Sequence, residues 1–338
     1  MAPTQKLIND GAAAVDEMLE GVLAAHGDKL YRPEGAARAI VARNGPRPGK
    51  VALVIGGGSG HEPTFLGFVG KGLADAAAVG NVFASPPPQP AIDAALAANG
   101  GAGVLFMYGN YAGDVMNFDM ASELLALEGV EARTVLTTDD IASAPRAERE
   151  KRRGVAGNVF IFKAAGASAD RMACLDEVER VARHANARTF TMGVALSACS
   201  LPELRRPNFD LPAGEMEIGM GIHGEPGVRR GPLNSADAVV DEIMDAILSE
   251  MAPARGDRVA VLVNSLGATP LMELYILHRR VARRLADAGL KQHVALVGRC
   301  CTSLDMAGAS ITLMHLDDEL AGLIDHPCDC AMFQSGLK

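Results

Sequence analysis
Apolar residues recur at helical spacing near the start of the chain, at Val15, Met18, Leu19, Val22 and Leu23, and predict an amphipathic helix over 12–25. A wholly apolar run, Val51–Ile55, leads into Gly56-Gly57-Gly58-Ser59-Gly60-His61-Glu62-Pro63. Such a run fits a buried parallel strand feeding a ligand-binding turn. After the proline-rich stretch 85–90 the pattern predicts a helix at 91–98. A second apolar strand, Val104–Tyr108, then ends in Asn110-Tyr111-Ala112-Gly113-Asp114. A helix at 115–128 and a strand at 133–137 follow, then a charged, aperiodic stretch at 139–153 that reads as an exposed loop containing the basic pair Arg152-Arg153. Helices at 158–167 and 174–187, a strand at 189–196 and a proline-marked excursion at 200–217 come next. Met216–Ile222 reaches a glycine-rich turn around His223, followed by a helix at 236–250, a strand at 258–264, a helix at 270–288 and strands at 293–298 and 310–316. Strands alternating with helices are the signature of an α/β fold.

Length and composition narrow the class. At roughly 100–200 residues per domain, 338 residues suggest two domains, which we divide as 1–188 and 189–338. With 41 acidic against 32 basic residues, the net charge of -9 disfavours nucleic acid or an anionic membrane as the main partner. Aromatic residues are only 4% and Trp is absent, which disfavours base-stacking platforms. No apolar run reaches the ~20 residues of a membrane span, and Met1 to Asp10 has no signal core. The six cysteines form no C-x-x-C pair and read as reduced thiols of a cytoplasmic protein.

Three glycine-rich turns carry candidate chemistry. Gly56–Pro63 is neither a G-x-G-x-x-G fingerprint nor a P-loop. It fits either a plain tight turn or a cradle of backbone N–H groups, with His61 placed where open α/β sheets bind ligands. Asp114 is either a helix cap or a carboxylate positioned for proton transfer. His223, between Gly221 and Gly224, is either a surface histidine in a turn or a reactive imidazole. The three lack helical metal-ligand spacing and have no thiol among them, so no metal site is expected.

Taken together, these turns and Phe83-Ala84-Ser85-Pro86, Arg152-Arg153-Gly154-Val155-Ala156, Asn264-Ser265-Leu266-Gly267-Ala268-Thr269-Pro270 and Cys301-Thr302-Ser303-Leu304-Asp305-Met306 resemble the dihydroxyacetone-binding subunits of dihydroxyacetone kinases. The resemblance implies two α/β domains, each an open sheet flanked by helices, and a homodimer. It implies that His223 attacks a ketose carbonyl and holds it as a hemiaminal, that His61 hydrogen-bonds the substrate and assists proton transfer, and that Asp114 is the base for the terminal hydroxyl. Gly58, Ser59 and Gly60 would offer backbone contacts, and Arg183 would reach the donor phosphate. Magnesium and the nucleotide, ATP or ADP, belong to a separate subunit, and a chain ending at residue 338 fits a stand-alone substrate subunit. The phosphoryl donor is ATP or a phosphotransferase relay. Many relatives carry a lysine where this chain has Gly109, so a C4 ketose such as erythrulose is the alternative substrate. Two rival classes are a non-catalytic ketose-binding regulator, disfavoured by the presence of His61, Asp114 and His223, and a dinucleotide-binding oxidoreductase, disfavoured by the missing fingerprint.

Overall fold
A computed structural model describes residues 4–336. The first half runs α1 (Ala14–His26), β1 (Leu30–Tyr31), β2 (Ala39–Ala42), β3 (Ala52–Ser59), β4 (Gly70–Lys71), β5 (Ala76–Val82), α2 (Pro88–Ala98), β6 (Val104–Gly109), α3 (Ala112–Leu127), β7 (Ala132–Thr137), α4 (Asn158–Asp170) and α5 (Leu175–Ala187). The second runs β8 (Thr189–Ala195), β9 (Glu215–Ile218), β10 (Arg229–Pro232), α6 (Ala236–Met251), β11 (Arg258–Ser265), α7 (Leu271–Ala288), β12 (Lys291–Gly298), β13 (Gly308–Leu316), α8 (Asp318–Ile324), β14 (Cys328–Cys330) and β15 (Gln334–Ser335).

The expected α/β class is borne out. One sheet has the order β1-β2-β5-β3-β6-β7, and β5, β3, β6 and β7 run parallel. A second six-stranded sheet has the order β10-β9-β8-β13-β11-β12, in which only β11 and β12 are parallel, and β15-β14-β4 form a small third sheet. From β3 the chain moves to one side for β5 and to the other for β6. The carboxyl ends of β3 and β6 therefore flank a switch point, where open sheets bind ligands.

The parallel strands are apolar because both their faces are covered. Leu53 and Ile55 of β3 pack in one core with α1, α4 and α5, while Ala52 and Val54 pack in another with α2 and α3. The first core continues through Leu266, Met306 and Met314 into the second sheet. The C-terminal strand β14 returns to pair with β4.

Two expectations are corrected. Residues 139–153 are not simply an exposed loop: Asp139 and Asp140 are buried, and 146–151 form a short 3-10 helix. Asp139 accepts from the N–H groups of Val155 and Gly157 at 2.9 and 2.8 Å. Nor are Arg152 and Arg153 a solvated pair. Arg152 is buried against Glu250 and the Ala144 carbonyl, and Arg153 is paired with Asp140. Strand β5 goes unrecognised in the sequence because Ala76-Ala77-Ala78 lacks the branched residues that signal strands. Alanine suits this position because Ala91, Ala94 and Ala95 of α2 share a tightly packed core with Ala76 and Ala78. All six cysteines are free thiols, and no described helix is long and apolar enough to cross a membrane.

Candidate active site
The site lies between the two sheets. Strand β3 extends through the glycines to Ser59, and its pairing with β5 becomes irregular between Gly57 and Ser59. The chain then turns, and His61 enters a buried position. The opposite wall is the segment 300–305, which follows β12. Thr302 N donates to His61 O at 3.1 Å, Leu304 N donates to Gly60 O at 2.8 Å, and His61 Nδ1 donates to Thr302 O at 2.7 Å. Asn264, at the end of β11, anchors that wall. Its Oδ1 accepts from the N–H groups of Cys300 and Cys301 at 2.9 and 3.0 Å, and its Nδ2 donates to Cys301 O at 2.6 Å.

His223 sits in the loop between β9 and β10, below this wall. Ser303 Oγ donates to Ile222 O at 2.5 Å, and Asn208 Nδ2 donates to His223 O at 2.9 Å. The imidazoles of His61 and His223 meet with Nε2 atoms 3.0 Å apart. Phe83 stacks on His61 at 5.0 Å and stands edge-on to His223 at 5.1 Å. It adopts a left-handed backbone (φ 55), a costly conformation for a bulky residue that occurs where function needs a ring placed.

Both histidines line a narrow cleft, together with Gly58, Gly109, Tyr111, Asp114 and Asn158. Three turns remote in sequence are thus brought to one place. Asp114 is in the first turn of α3, whose N-cap residue Tyr111 makes no side-chain cap bond. Its Oδ1 is buried without a partner, and burial raises its pKa to about 6. The pKa of His61 falls to about 3, first through burial and then through the neighbouring His223. Asn158 Oδ1 is a second buried, unpartnered oxygen on the cleft wall. Unpaired buried polar atoms are costly, so a ligand carrying hydroxyl donors would be bound with gain.

Other expected site residues lie elsewhere. Ser59 Oγ donates to Gly80 O at 2.8 Å, and the Gly60 N–H is taken by the Glu62 carboxylate at 3.0 and 3.1 Å. Neither residue lines the cleft. Arg183 is on the outer face of α5, with its guanidinium on Glu179 Oε1 at 2.7 Å. Gly109 does not leave open room: a Cβ there would lie 2.8 Å from Tyr111 Cε2. The Tyr111 ring fills that space, and its hydroxyl donates to Gly154 O at 3.1 Å. Reading the sequence also missed Glu225, Asn158 and Tyr111 as site residues. Tyr111 falls inside a motif quoted above and Glu225 lies two residues beyond His223, but Asn158 carries no local signal.

A second hollow lies beside α6 and α7, but of its lining residues only Glu273 carries an ionisable side chain. His184, Asp317 and Glu319 approach one another on the surface, where His184 already pairs with Asp317 at 2.6 Å and Glu319 with Arg180.

The fold and the cleft define an α/β protein, built on two six-stranded sheets, in which two imidazoles face each other across a cleft at the ends of parallel strands. Residues 20–332 match the Dak1 domain, and the chain belongs to that family. It is 51% identical over 330 residues to the dihydroxyacetone-binding subunit of PTS-dependent dihydroxyacetone kinase 2 of Listeria innocua, covering 98% of this chain and 99% of that one. It is 45% identical over 331 residues to D-erythrulose kinase of Mycolicibacterium smegmatis, covering 98% of this chain but 57% of the relative. The crystal structure of the dihydroxyacetone kinase of C. freundii superposes with a TM-score of 0.87 at 32% identity, over 98% of this chain and 60% of that chain. The resemblance read from the motifs is therefore borne out.

Proposed function
We propose that this chain is the substrate-binding subunit of a dihydroxyacetone-type kinase, in which His223 tethers a short ketose as a hemiaminal for phosphorylation of its terminal hydroxyl. The observation that carries this reading is the 3.0 Å approach of His223 Nε2 to His61 Nε2, in a cleft that also holds the unpartnered Oδ1 of Asp114. In this reading His223 is the nucleophile, His61 relays the proton to the ketose oxygen, and Asp114 takes the proton from the hydroxyl being phosphorylated. Asn158 offers a further polar contact to a ketose hydroxyl, and Gly58 brings backbone close to the substrate.

Phosphoryl transfer depends mainly on positioning and charge stabilisation. A covalent tether positions a substrate that has few groups to grip, and it rejects glycerol, which has no carbonyl. A separate subunit would bring the nucleotide and magnesium, with ATP or a phosphotransferase relay as the phosphoryl source. The assembly would be cytoplasmic and the chain a homodimer, its two parts dividing at 188/189 just before β8. Turnover of a ketose panel, assayed with the cognate nucleotide-binding subunit, tests the reading; no turnover of any short ketose would refute it.

Gly109 and the erythrulose kinase relative favour a second reading in which the substrate is a C4 ketose, while the Tyr111 ring over Gly109 favours dihydroxyacetone. We expect Tyr111→Ala to raise kcat/KM for erythrulose relative to dihydroxyacetone. Gly109→Lys should lower turnover of both, because its side chain collides with Tyr111. An unchanged substrate ratio in Tyr111→Ala would remove the ring as a length limit.

Arg183 would leave Glu179 to meet the donor phosphate in the complex. Arg183→Ala is expected to cut turnover about tenfold or more, the worth of a charge-assisted contact, while ketose capture by the isolated subunit stays unchanged. Ketose affinity falling in step with turnover would place Arg183 in the wrong role.

A further inference from the structure
One side chain holds His223 from two directions. Glu225 Oε1 accepts from His223 Nδ1 at 3.0 Å, and Oε2 accepts from the His223 backbone N–H at 2.9 Å. The carboxylate fits because Gly221 has no side chain: a Cβ there would lie 2.2 Å from Glu225 Oε2 and 2.5 Å from Arg153 Nη1. Arg153 stands behind the carboxylate, 3.9 Å from Oε2, and is itself fixed by Asp140 at 2.8 Å.

A carboxylate only accepts, so this contact puts a proton on His223 Nδ1 and turns Nε2 to the cleft. The Thr302 carbonyl likewise puts a proton on His61 Nδ1 and leaves His61 Nε2 as an acceptor. The two Nε2 atoms nevertheless meet at 3.0 Å. Two lone pairs repel at that distance, so one proton lies between the rings. The Glu225 carboxylate lies against His223, whereas His61 meets only the neutral Thr302 carbonyl, so the proton between the rings belongs to His223. The other titratable groups on the cleft are Tyr111 and Cys301, which burial keeps protonated, and Asp114.

We propose that Glu225 is the positioning residue of the covalent step: it fixes His223 with Nδ1 protonated and balances the positive charge that the ring carries before and after Nε2 bonds to a ketose carbonyl carbon. This deepens the ketose-capture reading above and rests on it. As the ketose enters, the bridging proton passes from His223 Nε2 to His61 Nε2. The freed lone pair forms the N–C bond, and the C=O π pair moves onto oxygen. That oxygen takes the proton from His61. His223 ends as an Nε2-substituted imidazolium with Nδ1–H still on Glu225, and no proton is gained or lost overall.

The test is ¹⁵N-histidine NMR of the full chain, free and with dihydroxyacetone ¹³C-labelled at its carbonyl. In the free protein His223 Nδ1 should be protonated, and in the adduct it should remain so while Nε2 is substituted. Glu225→Gln keeps an accepting oxygen without the charge. It should weaken capture at pH 7 about tenfold or more, and its adduct should lose the Nδ1 proton at lower pH than the wild type. Glu225→Asp, which restores the charge, should recover part of the loss. An unprotonated Nδ1 in the free wild-type protein overturns the proposal. So does a Gln variant with wild-type capture and an unchanged pH profile. A protonated Nδ1 in a wild-type protein that captures no ketose refutes the capture reading instead, and the ligand-free spectrum then upholds the proton assignment alone.

Discussion

Replacing His223 by alanine is expected to abolish the covalent ketose adduct and to cut turnover by about 10²-fold or more, the scale of loss when a reacting group is misplaced by about 1 Å. The substitution should leave the fold intact, because the imidazole sits in a loop and belongs to none of the three hydrophobic cores. Without Nε2, a molecule the size of dihydroxyacetone keeps only a few hydrogen bonds to the cleft. In the wild-type protein a ketose ¹³C-labelled at its carbonyl should lose the free-ketone signal and gain one in the tetrahedral region. His223→Ala should show only the free ketone, and glycerol should not bind either protein. A bound ketose that keeps its carbonyl resonance in the wild-type protein would falsify the tether.

Asp114→Asn should leave the adduct in place and lower phosphoryl transfer by about 10²–10⁴-fold, the usual contribution of a positioned base. Burial raises the Asp114 pKa to about 6. This brings the base close to working pH, so wild-type turnover should fall as pH drops through about 6 while the adduct persists. The same shift makes a stability prediction. The folded protein holds this proton more tightly than the unfolded chain, whose value is near 3.8. The favourable contribution of protonated Asp114 is thus complete below about pH 4 and is lost as pH rises through about 6. Asn cannot ionise and escapes that loss. At pH 8 the variant should therefore be the more stable protein, by up to about 3 kcal/mol, and the gain should vanish near pH 4. Melting curves at the two pH values decide it. Near-normal turnover in the variant would reduce Asp114 to a buried structural carboxylate.

Much of this could be read from local pattern. The apolar runs of β3 and β6 announce themselves because both faces of a parallel sheet are covered, and covering both faces leaves no room for alternation. Helices α1 to α7 were anticipated with ends misjudged by only a few residues, whereas the short α8 was not. His61, Asp114 and His223 stand out because each follows a strand in a turn whose glycines leave the backbone accessible. Strand β5 was invisible, since small residues packed against α2 lack any strand signature. The charged stretch 139–153 misled, because charge predicts solvent only where no partner waits inside. Arg152 finds Glu250 of α6, Arg153 finds Asp140 within the stretch itself, and Asp139 finds the N–H groups of Val155 and Gly157 just beyond it. Gly109 likewise suggested room that the Tyr111 ring in fact occupies.

By itself, then, the sequence determined the fold class and singled out the three candidate residues that the structure brings to one cleft. Those features depend on short-range periodicity and on turn composition. Only the tertiary structure decided how the three are armed. It set the contact of His61 with His223 across 162 positions, the wall at Thr302 lying 241 positions from His61, and the solitary oxygens of Asp114 and Asn158. Protonation follows from such contacts, because a hydrogen bond or its absence acts over about 3 Å, whatever the distance along the chain.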